Sequence, residues 1–246
     1  MHYGWSMILR QLFDPESSTY TYLVADPATR KAALIDSVRE HVERDLTLLR
    51  QLDLTLVAIL ETHVHADHVT AAGLLRDRTG ARSYASAAGA PCVDQALADG
   101  DVVAVGALAL HARATPGHTD DGMCFVLEQD GRASAVFTGD TLLVRGCGRT
   151  DFQNGGAGAL WDSITGVLFA LPEATTVYPG HDYKGHTVTS IGEERRWNPR
   201  LAGKSRDEFI QLMSQLQLAP PKKLAESVPA NRACGQAATL TPGAVS

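Results

Sequence analysis

The sequence predicts an α/β fold in which two β-sheets are covered by helices. Three observations lead there. The chain has 246 residues, a length that suits one large α/β domain or two small ones. Many short strands alternate with helical segments. No linker and no repeat at a fixed period divides the chain, so residues 1–235 are expected to form one domain. The closing "QAATLTPGAVS", residues 236–246, is small and polar and reads as a disordered tail.

Each element has its own signal. "MILRQLF" and "TYTYLVA" combine β-branched and aromatic residues at strand length, and "KAALID" is a short apolar run. Between Glu40 and Leu52, the residues Val42, Leu46, Leu49 and Leu52 fall at helical spacing. "LTLVAILETH" is a buried strand, and "ADHVTAAGLLRDRTG" follows as a helix closed by Gly80, with Asp67 and His68 at its start. "DVVAV", "LALHARATPGH", "MCFVLEQDG" and "ASAVFTGD" are strands. "GALWDSITGVLFALP" has helical periodicity and stops at Pro172, and "TTVYPGH" is one more strand. "SRDEFIQLMSQLQL" is a surface helix with Ser205 as cap and Glu208 three residues on.

Composition removes several function classes. Apolar residues make up 44% and charged residues 20%, the balance of a soluble globular protein. The formal charge of −6 offers no general basic field to nucleic acid or an anionic membrane. An anionic substrate must therefore be held by a few local cations. No apolar run is long enough to span a bilayer. The first residues, "MHYGWSMILRQLFDPESS", match neither a signal nor a transit peptide, so a cytoplasmic location is expected. Cys92, Cys124, Cys147 and Cys234 are scattered without a CxxC, so reduced thiols are expected rather than a disulfide framework.

One local pattern occurs four times: an apolar strand ends, a small or turn residue follows, and then a ligand-type side chain. The instances are "AILETH" to His63, "ATPGH" to His118, "AVFTGD" to Asp140 and "TVYPGH" to His181. Sites of α/β folds are assembled at the carboxyl ends of strands. In "THVHADH", His63 and His65 lie two apart on an extended segment and point the same way. A lone His before a helix is usually a cap or a satisfied core residue. Imidazoles and carboxylates at this density would be uncompensated if buried, and a metal answers that cost.

HxHxDH followed by a later His, an Asp and a last His resembles the metallo-β-lactamase superfamily, over roughly residues 7 to 235. The resemblance implies an αββα sandwich, two mixed β-sheets flanked by helices, with the metal at the sheet ends. The ligand set fits two chemistries. Two metals could be held by His63, His65 and His118 and by Asp67, His68 and His181, with Asp140 bridging, as in a hydrolase. One Fe(II) could instead be held by His63, His118 and Asp140, the two-histidine, one-carboxylate arrangement of non-haem iron oxygenases.

The flanks are more specific. "RGCGRTDFQ", "YPGHDYKGHTVTSIGEER", "NPRL" and "VPANRACG", with "LRQLFDPESSTYTYLVAD" and "IDSVRE", closely resemble the persulfide dioxygenases, also called sulfur dioxygenases. That resemblance implies one Fe(II) per chain on His63, His118 and Asp140. It implies outer roles for His65, Asp67, His68 and His181, and oxidation of glutathione persulfide by O2 to sulfite and glutathione. Arg149, Tyr183 and Lys184 would hold the glutathione, Arg149 through a bidentate carboxylate grip. The expected partners are glutathione persulfide and O2, without nucleic acid or membrane, and a homodimer is the candidate assembly. The alternative is glyoxalase II, a two-metal hydrolase of acyl-glutathione thioesters. It shares the Gly-Cys-Gly-basic and Gly-His-acid-Tyr segments, but usually carries an aromatic where Ala66 precedes Asp67, and a larger C-terminal helical part. A non-catalytic glutathione or persulfide binder is a third reading, which the complete ligand set disfavours. "TPGHTDDGMCF" carries two aspartates after His118 and Thr119, and the sequence alone gives them no purpose.

Overall fold

Two six-stranded sheets face each other in a computed structural model that describes residues 7–129, 131–221 and 223–236. The first sheet runs β1 (Ile8–Phe13), β2 (Tyr20–Ala25), β3 (Lys31–Ile35), β4 (Thr55–Leu60), β5 (Arg82–Ser86) and β6 (Gln95–Leu97), in that order. The pairs β1–β2 and β2–β3 are antiparallel, and the rest are parallel. The second sheet holds β7 (Val102–Val105), β8 (Leu108–Ala114), β9 (Met123–Gln129), β10 (Arg132–Gly139), β11 (Thr176–Pro179) and β12 (Thr189–Ser190). There only β10–β11 is parallel. Both sheets are mixed.

Strand alternation sorts the core into three layers. Tyr22, Val24, Ile35 and Leu60 of the first sheet meet Leu110, Phe125 and Phe137 of the second. On its outer face, the first sheet presents Leu23, Leu34 and Ile59 to α1 (Val42–Gln51) and α2 (Ala72–Thr79). The second presents Val126, Val136 and Val177 to α3 (Ala157–Ser163) and α5 (Arg206–Ser214). The expected αββα sandwich is the observed one.

Several local expectations change. The helix expected from Ala66 begins only at Ala72. Residues 69–71 are instead bridged to residues 37–39, by Arg39 N–H to the Val69 carbonyl and Ala71 N–H to the Ser37 carbonyl, 2.8 and 2.9 Å. Asp67 and His68 therefore sit on an irregular loop. The periodic segment 158–172 is α3 followed by one wide π turn, Ile164–Leu168. The short strands β5, β6 and β12 and the helices α4 (Ile191–Trp197) and α6 (Leu224–Arg232) add to the elements legible in the sequence. The expectation of four reduced thiols fails. Cys92 and Cys234, 142 residues apart, form a disulfide, because the chain end returns to the face where α2 starts. Cys124 and Cys147 are free and buried. All but one residue of the expected disordered tail, 237–246, lies outside the described residues.

Candidate metal centre

The site lies where β4, β8, β10 and β11 end. His63 follows β4, His118 follows β8 through Pro116 and Gly117, Asp140 follows Gly139 of β10, and His181 follows Gly180 after β11. Gly139 is needed for two reasons. Its φ is +49°, and a Cβ there would stand 2.4 Å from the Thr62 Oγ1.

His63, His118 and Asp140 come together, with one ligand atom from each all within 4.8 Å of one another. Hydrogen bonds fix which atoms these can be. The His118 Nδ1–H donates to the Arg149 carbonyl at 2.7 Å, which leaves Nε2 a lone pair. The Thr62 hydroxyl donates to the Asp36 Oδ2 at 2.9 Å, so at 3.0 Å it accepts from the His63 Nδ1–H, and the His63 Nε2 is left free. Burial, with His65 and His118 close by, holds His63 well below its ordinary pKa, hence neutral. Burial would raise Asp140, but His181 and the two triad histidines outweigh it and keep the carboxylate ionised. The Asp140 Oδ1 accepts from the His181 Nδ1 at 2.6 Å, leaving Oδ2 open. Two imidazole nitrogens and one carboxylate oxygen are a donor set that suits a metal with open positions.

Asp67 and His68 group with His65, and His65 also with Asp36 and Glu61, rather than with His181 as the two-metal alternative had it. His181 has a carboxylate on each side, Asp140 at 2.6 Å and Asp67 at 2.9 Å. Burial would lower it, yet these two charges raise it well above the ordinary range. Both of its nitrogens lie within hydrogen-bond distance of a carboxylate. His65 is similar. Its Nε2 lies 3.2 Å from Asp36 and 3.5 Å from Glu61, which overcome burial and raise it. The Asp67 Oδ2 gathers the His68 Nδ1, the His181 Nε2 and the Thr19 hydroxyl at 2.9–3.0 Å.

Two residues outside the expected set also build the site. The Asp121 Oδ2 accepts the Val64 amide N–H at 2.8 Å, and the Gln153 Nε2 donates to the Val64 carbonyl at 2.6 Å. Val64 stands between His63 and His65 and has no strand partner. The loops that bear His118 and follow Asp140 thus grip the loop that bears His63. The second aspartate of "HTDDG" has this purpose, while Asp120 accepts from the Asn154 side chain at 2.8 Å. An aspartate three residues beyond a ligand His was the signal available in the sequence.

A cleft of about 400 Å³ opens beside His118, Asp140 and His181, walled by Arg149, Tyr183, Lys184 and Arg200. Tyr183 is 71% exposed and stacks on His181 at 6.0 Å. The Arg149 guanidinium is already paired with Asp151, at 2.7 and 2.8 Å, and donates to the Leu218 and Ala219 carbonyls, so it shapes the wall as well as charging it. Lys184 and Arg200 make no ion pair among the described residues. Arg200 instead donates to the Cys147 carbonyl at 2.6 Å. It is a cleft cation outside the expected glutathione contacts.

Residues 14–91 and 93–181 match the family described as the metallo-beta-lactamase superfamily, and the chain belongs to it. Within it, the chain falls in the persulfide dioxygenase family. It is 46% identical to the mitochondrial persulfide dioxygenase ETHE1 of Homo sapiens, over 94% of this chain and 90% of that one. The crystal structure of ETHE1 from Myxococcus xanthus superposes with a TM-score of 0.91 at 60% identity, covering 94% of this chain and all of that one. Glyoxylase B2 of Dictyostelium discoideum is 30% identical, over 90% and 88% of the two chains.

Proposed function

We propose that this chain is a mononuclear non-haem iron dioxygenase that oxidises glutathione persulfide to sulfite and glutathione. The reaction balances as persulfide plus O2 plus water giving glutathione, sulfite and protons. The observation that carries the metal assignment is the grouping of His63, His118 and Asp140 and the hydrogen bonds around them. His63 and His118 engage Nδ1 and turn Nε2 to the Asp140 carboxylate, whereas His181 hydrogen-bonds carboxylates through both nitrogens and His65 lies beside Asp36 and Glu61. One Fe(II) held by His63, His118 and Asp140 would supply a redox-active centre where persulfide and O2 meet, the electrons that reduce O2 coming from the terminal sulfur.

The chain's own residues do the rest. Lys184 and Arg200, with Arg149, offset the negative charge of the chain where an anionic tripeptide would lie. Tyr183 offers a hydroxyl and an exposed ring to the peptide. His181, charged between Asp67 and Asp140, holds the Asp140 carboxylate in one orientation through Oδ1. The proposed setting is the cytoplasm, and the proposed assembly is a homodimer.

Oxygen uptake with glutathione persulfide, beside free sulfide and an acyl-glutathione thioester, tests the reading. Uptake with the persulfide alone is expected. Thioester hydrolysis without oxygen uptake would favour the glyoxalase II reading, which the similarity to Glyoxylase B2 keeps as the second choice.

A further inference from the structure

Helix α6 buries only polar side chains, Ser227 and Asn231. No apolar stripe anchors it, in contrast to an ordinary surface helix. Asn231, 4% exposed, spends its whole carboxamide on the loop that follows His63. Its Nδ2 donates to the carbonyls of His65 and His68, and its Oδ1 accepts the Thr70 amide N–H, all at 2.8 Å. One side chain thereby satisfies three buried main-chain groups where no strand or helix does so. Three residues on, Cys234 is joined to Cys92, in the turn between β5 and β6. The Cys92 carbonyl accepts from Arg76 of α2 at 3.0 Å, and the Cys234 carbonyl accepts the Gly73 amide N–H at 2.8 Å. The disulfide fixes the end of α6 to the first sheet, and Asn231 fixes its last turn to the metal loop.

We propose that Asn231 is a positioning residue for the metal-binding loop and that the Cys92–Cys234 disulfide is a redox latch that keeps it in place. Retention of the metal then depends on the oxidation state of this pair. The metal half of this proposal rests on the reading that His63 holds the iron.

The switch needs only a low-molecular-weight thiol, the class to which the proposed product belongs. Cys92 is partly exposed, and Cys234 is 2% exposed, so attack comes at Cys92. A thiolate forms a bond to the Cys92 sulfur as the bond to Cys234 breaks, and Cys234 leaves as a thiolate that takes a proton. A second thiol then displaces Cys92 from the mixed disulfide. Two electrons and two protons enter the pair, and two thiols leave as their disulfide. In a reducing compartment, disulfides of this kind are transient or redox-sensing.

The test begins with a thiol count on denatured protein purified in air. Two thiols are expected, Cys124 and Cys147, rising to four after treatment with a phosphine reductant. Hydrogen exchange on the metal-free protein should then show the Thr70 amide faster after reduction and in Cys92→Ser. In iron-loaded protein, the same two forms should lose iron to a chelator about tenfold faster than the oxidised wild type, the lower end of the effect of an outer-shell partner. Asn231→Ala should lose iron equally fast in both oxidation states, because the latch then has nothing to hold. Four thiols before reduction would overturn the latch. So would unchanged Thr70 exchange once the bond is shown to be open. An Asn231→Ala protein that still responds to reductant would overturn the link through Asn231. If Asn231→Ala does not fold, Cys92→Ser, altered on a partly exposed turn, decides the latch. If the protein holds no iron, the iron assignment fails, while the exchange comparison still decides the latch on its own.

Discussion

His63 and His118 on one side, and His65 and His181 on the other, are four imidazoles within one site that meet opposite fates. The first pair donates Nδ1–H to neutral partners, a threonine hydroxyl and a main-chain carbonyl. In each, Nε2 makes no hydrogen bond among the described residues. The second pair faces carboxylates, Asp36 and Glu61 around His65, Asp67 and Asp140 around His181. These carboxylates raise the pKa of each against the opposing effect of burial. The residue type is constant across the four, so in the proposed reading the neighbour of each ring sets whether it serves as metal donor or counter-charge.

The largest effects should separate the two classes. His63→Ala, His118→Ala or Asp140→Ala should abolish both metal binding and turnover, read by metal analysis and oxygen uptake. His181→Ala should keep the metal and lower activity by roughly 10–100-fold, the range for outer-shell partners. Equal loss of metal in all four variants would erase the distinction.

Part of this contrast is legible in the sequence, because ligand residues at four strand ends must meet at one end of the sandwich. The split within "THVHADH" is not. It depends on Asp36 and Glu61, which reach the site from the ends of β3 and β4 and resemble any strand-end acid in the sequence. The loop between Ala66 and Ala71 reads as helix because its apolar spacing continues that of α2. Its pairing with residues 37–39 is a long-range contact with no local signal. The Cys92–Cys234 bond is hidden for the same reason. Helix α6 escapes detection because it contains Pro229 and has no apolar stripe.

Smaller effects sharpen the comparison. Arg149→Ala should leave metal content intact and raise KM, by up to about 3 kcal/mol if it holds a substrate carboxylate. A normal KM would confine Arg149 to bracing Leu218 and Ala219. His65 and His181 have pKa values raised on folding, so their pairing contributes full stability to the metal-free protein below about pH 6.5. That contribution should fade as pH rises through the higher folded values, seen as a falling denaturation midpoint on the alkaline side. Asp14 has the opposite sign. Burial would raise it, but hydrogen bonds from Ser17, His41 and Glu16 outweigh this and hold it at about 2. Its contribution is full above about pH 3.9 and is lost as pH falls further. Asp14→Ala should lower Tm by only about 2–4 °C at neutral pH, for a loss near 1 kcal/mol.

Metal analysis of protein purified without added metal tests the single-centre account most directly. With one iron on His63, His118 and Asp140, it should return about one iron per chain, and His65→Ala should return the same. Two metal ions per active chain, falling to one in His65→Ala, would contradict the division of the four histidines.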